Sequence, residues 1–153
     1  MEKYQKRKAK NMNETDYLLN KVYCRTQKAS KTLGALLENV ENKSLRRDII
    51  FQITEYDKIN KEAGEAICNN GKVPQKNLPV KERVNIWGIN LSAGVNPSCE
   101  NIAKIISTES GKNVVEIISS MNSCVNSNPS AYNLARRLVE REESGINKMK
   151  PYL

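Results

Sequence analysis

The 153 residues fit one domain with a core of its own, and a single Trp and a single Phe leave that core to Ile, Leu, Val and Ala. Such a composition, rich in Lys, Glu and Arg, favours helices over a β-sandwich, and the absence of His excludes imidazole-based triads and His-completed zinc sites. The formal charge of +8 is concentrated at one end: in "MEKYQKRKAK", Lys3, Lys6, Arg7, Lys8 and Lys10 face only Glu2, a net +4.

These first residues contain no apolar leader, and nowhere does an apolar run approach the roughly 18 residues of a membrane span. The expectation is a cytoplasmic protein that does not enter membranes. Cys24, Cys68, Cys99 and Cys124 are dispersed without a C-x-x-C pair, which predicts reduced thiols. Residues 1–12 read as a basic extension, able to contact nucleic acid through Lys3, Lys6, Arg7, Lys8 and Lys10. Residues 13–153 read as the folded domain.

A first helix is expected from Asn13, as cap, to about Glu41, with Thr15, Leu18, Val22, Thr26, Ala29, Leu33, Leu36 and Val40 on its inner stripe. After "ENKS", a second helix places Leu45, Ile49, Ile53, Tyr56, Asn60, Ala63 and Ile67 inward and stops at "NNG". So short a link makes the two antiparallel neighbours. Pro74 and Pro79 then mark a loop, and "VKERVNIWGINL" predicts a short connecting helix that is apolar on nearly all sides.

"NPS" occurs at Asn96 and again at Asn128, each read as an Asn cap with Pro at the first helical position. The third helix carries Cys99, Ala103, Ile106, Ser110, Val114, Ile117, Met121 and Cys124 along its stripe. The fourth carries Tyr132, Ala135, Leu138, Val139, Glu142, Ile146, Met149 and Leu153. No alternating strand pattern competes. The predicted fold is all-α, a four-helix bundle of two antiparallel pairs with a short extra helix in the middle connection.

From Trp87 onward, "IWGINL", "ENIAKIISTESGKNVVEIISSMN" and "LARRLVEREESGINKMKPYL" resemble a spore-coat-related branch of the ferritin-like superfamily from Firmicutes. The first 70 residues share only its general layout. The resemblance implies a ferritin-like bundle. Many such proteins hold two metals between Glu and Glu-x-x-His ligands, but this branch, like this chain, lacks the histidines, so the fold does not carry the activity with it.

Glu140-x-x-Glu143 has the spacing of half a di-iron site, which makes helical phase the test. At about 100° per residue, Glu38, Glu55, Glu62, Glu65 and Glu140 point away from the core, Glu109 and Glu116 sit on a flank, and Glu143 lies at an edge. Glu142 alone falls inside an apolar stripe. One inward carboxylate cannot hold a hard divalent ion unaided, so no metal ligand set, catalytic residue or cofactor is assigned. The buried polar site is expected to be Glu142 with Tyr56 and Asn60, with Arg25 or a water as further candidate partners.

No Gly-rich phosphate loop or dinucleotide fingerprint is present, "SGKN" at Ser110 lacks Walker spacing, and no small-molecule substrate is indicated. Cys24, on the outer face of its helix, is a candidate redox-sensitive thiol. Phe51, Ile59, Ile105 and Ile118 stand off their stripes, and with Ile86 and Ile89 they suggest a second buried surface. Phe51, Ile86, Ile89 and Ile118 are its oligomer candidates, with a homodimer favoured. The expected function is that of a non-enzymatic, ferritin-like structural or interaction protein, spore-associated by resemblance. One alternative is a carboxylate-only metal-binding or oxidase-type protein using Glu142, Glu143, Glu109 and Glu116; another is a bundle that associates with nucleic acid through its basic tail.

Overall fold

A computed structural model describes residues 2–75 and 98–153, with the backbone alone for residues 4–13. Four long helices account for nearly all of it: α1 (Glu2–Leu37), α2 (Lys43–Asn69), α3 (Cys99–Ser123) and α4 (Pro129–Met149), closed by a 3-10 turn at Lys150–Tyr152. No strand occurs among the described residues. The expected connecting helix, with Ile86, Trp87 and Ile89, lies outside them.

Asn13 does not cap α1. The helix begins at Glu2, because residues 2–12 hold no Gly, Pro or β-branched residue, and Asn inside a helix costs only a few tenths of a kcal/mol. The basic segment is therefore continuous in backbone with the first bundle helix. At its other end α1 stops at Leu37, short of Glu41. There Arg46 Nη1 donates to the carbonyls of Leu37 and Val40 at 2.7 and 2.9 Å, satisfying groups that a helix end leaves unpaired.

Asn42 caps α2, its side chain accepting from the Leu45 N–H at 2.9 Å. The "NNG" stop forms as expected. Gly71 takes φ 75°, its N–H reaching the Cys68 carbonyl and the Lys72 N–H that of Ile67. This is a Schellman ending, which favours Gly at the left-handed position. The cap of α3 is Ser98, not Asn96, with the Ser98 Oγ accepting from the Asn101 N–H at 3.2 Å. Asn96 and Pro97 lie outside the described residues. Asn128 and Pro129 begin α4 as predicted.

Hydrogen bonds between helix ends set the directions. Glu14 and Thr15, in the N-terminal half of α1, meet the start of α4, since they accept from the Asn126 and Asn128 N–H groups. Asn70, at the end of α2, reaches Asp16 at that same end of the bundle. At the opposite end Tyr152 donates to Asp48 at 2.8 Å and bonds Ser44 near the start of α2. Thus α1 and α4 run one way, α2 and α3 the other. α2 packs on α1 and α4, α3 packs on α4 and α1, and α2 stands diagonally across from α3.

Leu18, Leu33, Leu36, Leu45, Ile49, Ile67, Ile102, Ile106, Ile117, Leu138 and Met149 are fully buried between them. The stripes differ from those expected by about one residue of phase. On α2, Gln52 and Ile59 are buried while Ile53 and Asn60 are half-buried, because α2 turns toward α4 as well as α1. On α3, Asn113 and Ser120 are buried and Val114 is half-buried; on α4, Ala131 and Leu134 are buried, Ile146 is half-buried, and Tyr132 and Leu153 are exposed. Ile59 and Ile105 thus belong to or pack against the main core rather than a second surface.

Candidate functional site

Glu142 is 0% exposed, between Leu138 and Met149 on the inner face of α4, as its phase predicted. Tyr56 of α2 donates its hydroxyl to Glu142 Oε2 at 2.7 Å, and Asn113 Nδ2 of α3 donates to Oε1 at 3.1 Å. Ser110, one turn before Asn113 on α3, is also buried, and its hydroxyl helps to pull the Glu142 carboxyl pKa down. Three helices are therefore pinned to one carboxylate at mid-bundle.

Burial pushes the Glu142 carboxyl above its usual range. Hydrogen bonds from Tyr56, Ser110 and Asn113, and the nearby Arg141 charge, pull it back in part. Tyr56 is pushed well above the ordinary phenol range, first by burial and then by the Glu142 charge. With one inward acid and neutral donors around it, the arrangement ties three helices to a single carboxyl group.

Asn60 does not join this site. Its amide donates to the Tyr23 carbonyl at 2.9 Å and to Thr26 Oγ1 at 3.0 Å, clamping α1 to α2 one turn away from Tyr56. Arg25 pairs with Glu116 on α3 instead of reaching Glu142. Asn113 was missed because its neighbour Val114 was placed on the stripe. The polar Ser110-x-x-Asn113 spacing on an otherwise apolar face was the available signal.

One turn from Tyr56, Gln52 is also fully buried, and among the described residues neither its Oε1 nor its Nε2 finds a partner. Its amide lies over Gly145 of α4, where an added Cβ would stand 3.2 Å from Oε1. Gly145 therefore makes room for the Gln52 head group.

The alternative ligand set is not assembled around Glu142. Glu143 is exposed, Glu116 pairs with Arg25, and Glu109 pairs with Lys112 at 3.1 Å. Among the described residues no three His, Cys, Asp or Glu groups gather as a metal site. No disulfide joins the four cysteines, and Cys24 is half-buried. Burial, then the Glu14 charge, pushes the buried Cys124 thiol up.

Of the surface candidates, Phe51 is 44% and Ile118 is 41% exposed, but on diagonally opposed helices, so they do not form one patch. Ile86 and Ile89 lie outside the described residues. Lys3 is exposed on a helical backbone; the side chains of Lys6, Arg7, Lys8 and Lys10 fall outside the described set. No helix of the described residues is long and apolar enough to cross a membrane. In comparisons with known proteins, no family model, curated protein or solved structure matches the chain.

Proposed function

We propose that the chain is a ferritin-like bundle working as a non-enzymatic structural or interaction protein, one that self-associates and acts through its surface rather than its core. The observation that carries this reading is the closed Glu142 layer. Its carboxylate accepts from Tyr56 and Asn113, and among the described residues no other acid shares it. A carboxylate committed in this way contributes register and specificity to a bundle.

The ferritin-like part is supported by chain direction. Parallel α2 and α3, reached through one long connection between two antiparallel hairpins, are what ferritin-like bundles have and simple up-down bundles lack. Self-association draws on α3, where Val115 and Ile118 stand exposed one turn apart beside charges of both signs, Lys112 and Glu116. Such a face can meet its own copy without like-charge repulsion. Light scattering on the full chain is expected to give a mass above that of the 17.3 kDa monomer. A strict monomer that also binds no other protein contradicts the reading.

A further inference from the structure

The net charge of the chain sits on one helix. α1 carries nine Lys and Arg against three acids, whereas α2, α3 and α4 together carry eleven of each sign. α1 thus holds +6 of the +8. On the other helices the charges are balanced and largely paired: Lys58, Lys104, Lys112 and Arg137 meet Glu55, Glu100, Glu109 and Glu62.

The backbone gives this excess a shape. Glu14 and Thr15 lie level with the link between α3 and α4, whose Asn126 and Asn128 they hold. α1 continues past that level as helix back to Glu2, about 18 Å at 1.5 Å per residue. At about 100° per residue, Lys3, Lys6, Arg7 and Lys10 fall within one sector of the helix, with Lys8 and Glu2 outside it. Lys21 carries the same sector into the bundle, its ammonium 5.6 Å from the Tyr17 ring centroid, a contact that leaves the charge uncancelled. Arg25, also in the sector, is held by Glu116. The acid within the sector, Glu14, accepts from the Asn126 N–H, and Asp16, outside it, accepts from Asn70 at 3.4 Å.

A row of cations along one helix face suits a linear polyanion of evenly repeated charge, in which each neutralised phosphate releases a condensed counterion. A lipid surface would need an apolar face behind the cations. Here Tyr4, Ala9 and Met12 alternate with Gln5, Lys8 and Asn11 on the opposite side, so none exists. A second copy offers no matching acidic surface, because its other helices are balanced.

We propose that the basic face of α1, from Lys3 to Lys10 and on to Lys21, binds nucleic acid through its phosphodiester backbone. This goes beyond the reading of the chain as a structural or interaction protein and does not depend on self-association.

The test is a fluorescence-anisotropy titration of the full chain with a short labelled DNA duplex of mixed sequence, over a series of salt concentrations. Saturable binding is expected, with a slope of log affinity against log salt of about −4 to −5 for five phosphate contacts. Replacing Lys3, Lys6, Arg7 and Lys10 together by Gln, a good helix former, should reduce the slope by about 3 to 4, and Lys21→Gln alone by about 1. A control with Arg47, Lys58, Lys61 and Lys104, exposed on α2 and α3, replaced by Gln loses the same charge and should keep the wild-type slope within about one unit. Circular dichroism checks that each variant is folded. An unlabelled single strand should compete, since the phosphates carry the binding. Absence of binding at low salt, a slope unchanged by the α1 replacements, or an equal fall in the control overturns the proposal. So does tighter binding to phosphatidylserine vesicles than to DNA, or competition by poly-Glu as effective as by DNA at equal charge.

Discussion

Replacing Tyr56 with Phe isolates the bond at the centre of the bundle. The ring, 2% exposed, keeps its packing, and only the hydroxyl that donates to Glu142 Oε2 at 2.7 Å is lost. A hydrogen bond to a charged group contributes about 1.5–3 kcal/mol, so the expected loss at pH 7.5 is about 2 kcal/mol. The pH dependence gives a sharper check.

Glu142 has a folded pKa above its unfolded value of 4.5, so its contribution to stability is fully present below that pH and lost as pH rises through the folded pKa. The Tyr56 hydrogen bond lowers the folded pKa; without it the pKa climbs further and the loss on the alkaline side grows. Tyr56→Phe should therefore cost more at pH 7.5 than at pH 5. Urea unfolding followed by circular dichroism at both pH values measures this. A cost below about 0.5 kcal/mol at pH 7.5, well under the range for a charged hydrogen bond, would refute the reasoning, as would a cost that does not change with pH.

Other substitutions probe the remaining elements through the same unfolding assay. Gln52→Met removes a buried amide with no partner while keeping a linear side chain over Gly145, and is expected to stabilise by about 1 kcal/mol; destabilisation would show that the amide has a partner. Gly71→Ala should cost about 1 kcal/mol because φ is 75°, whereas Gly111→Ala, with nothing within 4 Å of the added Cβ inside α3, should gain a similar amount. Asn60→Ala breaks the clamp to Tyr23 and Thr26 and is expected to cost about 1 kcal/mol without changing the pH dependence that Glu142 confers. A pH profile altered by Asn60→Ala would place Asn60 in the Glu142 network after all.

The inward position of Glu142 was legible in the sequence because Leu138 and Met149 fix the phase of a strongly patterned helix. Tyr56 was legible as its partner because both residues lie on inner stripes. Asn113 was not, since on α3 the step from Val114 to Asn113 is a rotation of about 100° that periodicity alone resolves poorly. Asn60 was misplaced because a polar residue near a core stripe can turn to a neighbouring helix, here to a carbonyl of α1. The start of α1 was misread because a good capping residue was weighed without the helix-forming run that precedes it. Phe51 was correctly seen to point outward, but the Arg141 and Lys148 cations that lie over its ring come from another helix. Their approach depends on how α2 and α4 are rotated against each other, which no single-helix pattern encodes.

We hold that Glu142, the only fully buried carboxylate among the described residues, serves the fold and not a metal. The most direct test is metal analysis by plasma mass spectrometry of the protein purified without chelators. Well below one equivalent of iron or manganese per chain is expected, unchanged in Glu142→Gln. Stoichiometric metal that is lost in Glu142→Gln would contradict it.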